Sequence, residues 1–216
     1  MLTLEASPMN LKLHEPFRIS RGVQHYAHCV VAKISAEGAT GLGEAAPTTY
    51  YGETQESVLS CLSVYAGHLG DDPFALEDIL DEVEHTIGRN GAARAAVDLA
   101  LHDLAGKLLG IPLYQLLGLN PAKTPKTSFT LGIDTPAEMR RKALEAQGYP
   151  ILKVKVGTRN DLENLKAIRE VSDAVIRVDA NAGWTAKEAI RMIEALEPYN
   201  IEFVEQPVPS HDLEGL

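Results

Sequence analysis

The stretches ILKVKV (151–156) and VIRVDA (175–180) decide how this chain is read. In both, two kinds of side chain alternate. Leu152, Val154 and Val156, and likewise Ile176, Val178 and Ala180, form apolar sets at period two. Between them fall Ile151, Lys153 and Lys155, and Val175, Arg177 and Asp179. Successive strand side chains point to opposite sides, so each stretch predicts a strand with one apolar and one charged face. The apolar face must pack against helices. A parallel sheet is normally covered on both sides, so the charged face is expected to look into a barrel interior rather than into water.

Working outward, TSFTLGI (127–133) reads as a strand and TPAEMRRKALEAQG (135–148) as a helix, with Thr135 as its cap and Pro136 at its first position. A helix is predicted from about 160 to 171, another over TAKEAIRMIEALEP (185–198), and a last strand over IEFVEQP (201–207). Strand and helix alternate four times, the pattern of a parallel sheet with crossover helices. Active-site groups of a β/α barrel sit at the C-terminal ends of its strands. Lys155, Asp179 and Glu205 all fall there, 24 and 26 residues apart, each step about one strand-helix unit. IEFVEQP is less regular, because strict alternation puts Glu202 on the face assigned to the helices.

The first part of the chain reads differently. Leu2 and Leu4, then Met9, Leu11 and Leu13, alternate with polar positions, and YAHCVVAKIS (26–35) is rich in β-branched and aromatic types. The turn AEGATG (36–41) leads into GLGEAAP (41–47), a hairpin signal. Thr54 precedes a helical run with Val58, Leu59 and Leu62 on one face. NGAARAAVDLALHDLAGKLLG (90–110) has helical spacing and stops at Gly110 before Pro112. The expected organisation is an α+β domain over 1–122, antiparallel strands then helices, and over 123–216 the N-terminal half of a (β/α) barrel. NPAKTPK (120–126) is the expected linker.

The 216 residues are 45% hydrophobic and 23% charged, an ordinary globular balance. A net charge of −10 argues against nucleic acid as a partner but not against a small anionic substrate, which responds to local charge. No apolar run approaches the ~20 residues needed to cross a bilayer, so no membrane is expected. MLTLEASPMNLKLHEPF lacks the basic and apolar regions of a secretory signal, and Cys29 and Cys61 lack CxxC spacing. A cytoplasmic protein with two reduced thiols is expected. Seven histidines form no HxH or HExxH arrangement and read as structural.

Two carboxylates converging on one spot repel unless a cation or proton separates them. Oxygen ligands without Cys or His favour Mg²⁺, so Asp179 and Glu205 are candidate metal ligands. A lysine beside a metal and a second ammonium is expected to titrate below the free value of about 10.4, which would let Lys155 act as a base. The ion would hold a substrate carboxylate while Lys155 removes the neighbouring proton, and Lys153 would stabilise the enediolate formed.

The combination of KVK (153–155), DAN (179–181) followed by Gly183 and Trp184, and VEQP (204–207) resembles the signature of the muconate-lactonizing subgroup of the enolase superfamily. AARAAVDLALHDLAGKLLGIPLYQLLG (92–118) resembles that family's long helix in its capping domain, and GLGEAAPTTYYGET (41–54) its capping loops. A lysine or histidine base with Mg²⁺ is the established chemistry of the superfamily. The resemblance implies that Lys155 is the acid/base lysine, that Lys153 assists it and contacts the substrate carboxylate, and that Asp179 and Glu205 bind the metal. FRISRG (17–22), YYGET (50–54) and TSFT (127–130) look most like the dipeptide epimerases that act on Ala-Glu. That likeness points to Thr130 and Arg21 as substrate contacts and to a small carboxylate or dipeptide as substrate. Muconate cycloisomerase and o-succinylbenzoate synthase are the alternatives within the subgroup. Asp98 and Asp103 on the long helix read as structural.

The family draws a third carboxylate ligand from the fifth barrel strand and an opposing lysine from the sixth, and these 216 residues reach only the fourth. The expectation is a truncated product, or a barrel completed by a second copy or a complementing chain. An inactive fragment that associates with such a chain is the rival reading.

Overall fold

The computed structural model describes residues 1–216, which form two compact units. One comprises Met1–Lys12 and Tyr26–Thr124, the other Leu13–His25 and Pro125–Leu216. A cut at 122/123 would treat the chain as two consecutive pieces. Instead, the segment Leu13–His25 is grouped with the second unit.

β1 (Thr3–Ile19), β2 (Gly22–Ala36) and β3 (Ala39–Ala45) lie side by side in that order, with β1 up to Lys12, β2 from Tyr26 and all of β3 in the first unit. β2 and β3 are antiparallel, joined by Glu37 and Gly38 with φ of 53° and 81°. Both left-handed positions match the tight turn whose twist suits a hairpin. Val30, Ala32 and Ile34 on β2 are fully buried, paired with Ala45, Gly43 and Gly41 on β3. Four helices follow: α1 (Gln55–Tyr65), α2 (Leu76–Thr86), α3 (Gly91–Leu109) and the short α4 (Leu113–Leu116). Thr54 caps α1 in a reciprocal box with Ser57, and Gly110 ends α3 in the left-handed conformation.

α3 lies on the β3 backbone itself. A methyl group on Gly43 would sit 1.9 Å from the Ala96 carbonyl oxygen, and one on Gly41 2.0 Å from that of Ala100. The small residues Ala93, Ala96 and Ala100 answer the two glycines from the helix side. α3 also satisfies the outer edge of β3. Leu42 N donates to Asp103 Oδ2 at 2.7 Å, and Lys107 Nζ donates to Thr40 O at 2.8 Å. Asp103 is therefore an edge-strand acceptor, the structural role expected of it.

In the second unit, β4 (Ser128–Leu131), β5 (Ile151–Lys155), β6 (Val175–Asp179) and β7 (Ile201–Glu205) form a parallel sheet in sequence order. Helices α5 (Pro136–Glu145), α6 (Asp161–Arg169) and α7 (Ala186–Leu196) connect them. Thr135 caps α5 and Thr185 caps α7, the latter in a box with Glu188. Leu152, Val154, Val156, Ile176, Val178 and Ala180 are buried in one core with Met139, Leu165 and Ile168 from the helices. Burying each large side chain contributes about 1.5–3 kcal/mol. The segment 13–25 is fastened to this unit by Ile133 N, which donates to Arg18 O at 2.9 Å, and by ion pairs of Glu15 with Arg141 and Lys142.

The irregularity of β7 is a β-bulge. Ile176 pairs with Ile201, but Val178 pairs with Val204 and Asp179 with Glu205, so three steps on β7 match two on β6. Ile201 and Val204 both pack on the core. Glu202 does not face the helices, as strict alternation had it. Its Oε2 accepts from Arg177 Nε at 2.5 Å, on the charged face of the sheet. The extra residue lets both Glu202 and Glu205 reach that face.

Gly43→Ala is expected to lower the unfolding free energy by about 3 kcal/mol, since the helix backbone cannot yield without repacking. Leu42→Ala, at a half-exposed neighbour, is expected to change it by about 0.5 kcal/mol or less. Urea denaturation of both variants checks this, and equal midpoints would show that α3 does not rest on the glycines.

Candidate active site

The four lysine and carboxylate candidates meet on one face of the parallel sheet. Lys155, Asp179 and Glu205 are paired across β5, β6 and β7 in one row. Two positions earlier, Thr130, Lys153 and Arg177 form a second row across β4, β5 and β6. In-register neighbours in a parallel sheet point to the same side, so the order of the strands fixes which groups converge.

Asp179 is the hub. Its Oδ2 accepts from Lys155 Nζ at 2.6 Å and lies 3.2 Å from Lys153 Nζ. Lys153 Nζ is also 2.6 Å from Glu205 Oε2. Asp179 is 1% exposed and Lys155 9%, whereas the Glu205 side chain is 45% exposed. The hub is thus dry while one arm reaches solvent. Burial works to raise the Asp179 pKa, but donation from Lys155, from Asn181 N and from Lys153 outweighs it and leaves the carboxyl below its ordinary value. Burial likewise works against the Lys153 ammonium, and Glu205 and Asp179 more than offset it, so Lys153 is held above its ordinary value.

The turn after β6 is bent around this carboxylate. Asn181 N donates to Asp179 Oδ1 at 2.8 Å. Asn181 and Ala182 adopt φ of 48° and 61°, and Gln206 after β7 has φ of 43°. Left-handed non-glycine residues cost energy and persist where the surroundings hold them. Here Ala182 N donates to Gln206 O at 2.8 Å, tying the two turns together.

Arg21 lies in the same unit, and its Nη1 donates to the backbone carbonyl of Asn181, which Ser20 Oγ also reaches at 3.2 Å. Arg21 is therefore brought beside the Asp179 turn through the backbone. Thr130 shares the charged face but makes no hydrogen bond to the cluster. It lines a cleft of about 390 Å³ with Glu15, Phe17, Phe129 and Lys142. Neither lysine of the cluster nor either of its carboxylates lines that cleft, so the chemistry belongs to the cluster.

The donor set suits a hard cation. Asp179 and Glu205 offer carboxylate oxygens on one face, and the buried Asn181 Oδ1 beside them has no hydrogen-bond partner. No group of three His, Cys, Asp or Glu is gathered anywhere in the chain, and both cysteines are free and buried elsewhere. Oxygen donors without thiolate or imidazole fit Mg²⁺.

Sequence reasoning passed over three contributors. Arg177 bonds to Glu202 and, at 3.1 Å, to Ser128 Oγ, filling the face below the cluster. Asp161 binds the turn after Lys155. Ser20 packs on the turns after β5 and β6, where added methyl groups on Gly157 or Gly183 would each lie 2.8 Å from its Cβ. Arg177 was legible as a charge on the inner face, whereas the other two depend on contacts between distant segments.

Residues 1–118 match the N-terminal domain of the mandelate racemase / muconate lactonizing enzyme family, and residues 136–216 match the enolase C-terminal domain-like family. An L-Ala-D/L-Glu epimerase of Bacteroides thetaiotaomicron is 46% identical over 97% of this chain and 55% of its own length. A crystal structure of a dipeptide epimerase from Enterococcus faecalis V583, complexed with Mg and the dipeptide L-Leu-L-Tyr, superposes with a TM-score of 0.91 at 39% identity, over 99% of this chain and 63% of that one. An N-succinyl Arg/Lys racemase from Bacillus cereus superposes with a TM-score of 0.90 at 32% identity, over 99% and 61%. The chain thus spans between 55% and 63% of the length of these relatives. With the antiparallel sheet and helices in one unit, the strand-helix repeats in the other and both family matches, the chain belongs to the mandelate racemase / muconate lactonizing enzyme family of the enolase superfamily.

Proposed function

We propose that this chain carries the acid/base lysine, Lys155, its assisting lysine, Lys153, and two metal ligands of a Mg²⁺-dependent epimerase that acts at a carbon next to a carboxylate, with a dipeptide as substrate. The observation that carries this reading is the single row of Lys155, Asp179 and Glu205, bridged by Lys153, at the ends of adjacent parallel strands. The relatives reported above are epimerases and a racemase, which favours this over cycloisomerase or o-succinylbenzoate synthase chemistry.

In the proposed mechanism Asp179 and Glu205 would hold Mg²⁺. When bound, the ion supplies positive charge to the oxygens of the substrate carboxylate. Lys153 then turns from bridging the protein's carboxylates to holding that of the substrate. Lys155, on the same face and nearer the strand end, would take the α-proton at Nζ as the neutral amine, the electron pair left behind would spread into the adjoining carboxylate, and a proton returned to the opposite face of that carbon would complete the inversion. Thr130 and Arg21 are proposed to orient the dipeptide, Thr130 from the row of Lys153 and Arg21 from beside the Asp179 turn.

Mg²⁺ is expected to stabilise the protein, by about 1.4 kcal/mol at a tenfold excess over Kd. Asp179→Asn should remove that gain and Lys142→Met should retain it, as read by thermal denaturation with and without the metal. Equal gains in wild type and Asp179→Asn would place the ion elsewhere.

Lys155→Ala is expected to reduce exchange of the α-proton of an Ala-Glu-type dipeptide with solvent deuterium by roughly 10²–10⁴, followed by NMR. Lys155→Arg keeps a cation against Asp179 and so should fold, yet guanidinium does not release a proton in this range and exchange should fail as badly. Lys153→Ala should be less severe. Wild-type exchange in Lys155→Ala would remove the mechanism.

A second reading rests on β4 and β7, which are the two edges of the sheet. In it these residues work only when a second copy or complementing chain pairs with those edges. Sedimentation equilibrium discriminates. Self-association is expected under this reading, and a single species of one-chain mass that binds no complementing chain would count against it.

A further inference from the structure

We propose that Asp161 is a positioning residue for the acid/base site, its carboxylate pinning the turn that follows the lysine strand where that turn packs against the one that follows the Asp179 strand. This rests on the epimerase reading above for its effect on rate, and on geometry alone for the pin.

Asp161 is a carboxylate 1% exposed that takes no part in the charge cluster. Every partner it has lies in a turn beside the candidate site. Its Oδ2 accepts from Gly157 N at 2.8 Å, and Oδ1 accepts from Thr158 N at 3.0 Å and from Thr158 Oγ1 at 2.8 Å. The Trp184 side chain, whose indole N–H can only donate, also favours the charged carboxylate. Burial pushes its pKa above the ordinary value, against the pull of these groups. A helix start does not need this arrangement. The residue before it, Asn160, makes no side-chain cap, and Asp161 directs its oxygens away from its own helix onto the preceding turn.

The pinned turn lies against the turn after β6, where a methyl group on Gly157 would sit 3.1 Å from Ala180 O. Gly157 and Thr158 follow Lys155 directly, and Trp184 follows Asp179 by one short turn. Trp184 N in turn donates to Pro207 O at 3.2 Å, just beyond Glu205. The pinned turns also form the seat of Ser20, which leaves no room for a side chain at Gly157 or Gly183. Releasing the carboxylate frees the turn after β5, and with it the strand end that aims Lys155 at Asp179. The apolar face of β5 is untouched, so the fold survives.

Asp161→Asn replaces an acceptor with an amide that faces several N–H donors. Thr158→Val removes one of the bonds and is the milder variant. In Asp161→Asn, amide hydrogen exchange over 157–160 is expected to rise at least about tenfold, while exchange in α3 stays unchanged. The chain has one tryptophan, so its indole N–H resonance, assigned by Trp184→Phe, should shift in Asp161→Asn. In the catalytically competent protein kcat for α-proton exchange should fall at least about tenfold with KM within about twofold, and Thr158→Val should show the same pattern more weakly. Unchanged local exchange and an unmoved indole resonance would overturn the pin. A released turn with unchanged kcat would overturn the positioning role. Wild-type protein without any α-proton exchange would overturn the epimerase reading, with the exchange and indole arms still deciding the pin.

Discussion

The buried carboxylate of Asp179 is the group on which the second unit's arrangement turns. A carboxylate removed from water is tolerated only when charge and hydrogen bonds replace its hydration. Lys155, Lys153 and Asn181 N supply that replacement from three directions. Each of those partners is placed by the parallel register of β5 and β6 and by the left-handed turn at Asn181 and Ala182. The register is enforced in turn by the opposite face, where Val154, Val178 and their neighbours are buried completely. A one-residue slip would put lysines in the core and valines in the cluster. Hydrophobic packing on one face therefore sets the electrostatics of the other.

The site is closely coupled electrostatically. The ammonium of Lys153 serves both carboxylates, and the hub's two oxygens are taken up by lysines and by the Asn181 backbone. Any ligand that enters the cluster must exchange with contacts already made, which limits entry to groups of matching charge. Glu205 is the exposed arm, and the Asn181 oxygen is the buried acceptor left without a donor.

Much of this was legible in the sequence because it depends on local periodicity. The alternation in ILKVKV and VIRVDA gives the two faces, and spacings of 24 and 26 residues, each about one strand-helix unit, point to the row of Lys155, Asp179 and Glu205. Thr54, Thr135 and Gly110 mark helix ends by chemistry that needs no tertiary context. Other features are properties of pairs of distant segments. That Gly41 and Gly43 admit a helix backbone depends on where α3 lies. That residues 13–25 group with the barrel-like unit depends on Glu15 meeting Arg141 and on Arg18 meeting Ile133. Asp161 is one of two acidic residues in the first turn of α6, and nothing local marks its hold on the turn before it. The misfit of Glu202 was visible as a broken alternation, but only the pairing shows that an extra residue repairs it.

That bulge sets how the segment can change over time. Between Ile201 and Glu205 the chain carries one residue more than the pairing needs. Losing that residue would restore plain alternation and leave Glu205 opposite Asp179, whereas gaining another would have to be absorbed by the kink or would turn the carboxylate toward the core. The interval therefore tolerates shortening better than lengthening. Another barrel could carry the same carboxylate on a kinked five-residue interval or on a straight four-residue one.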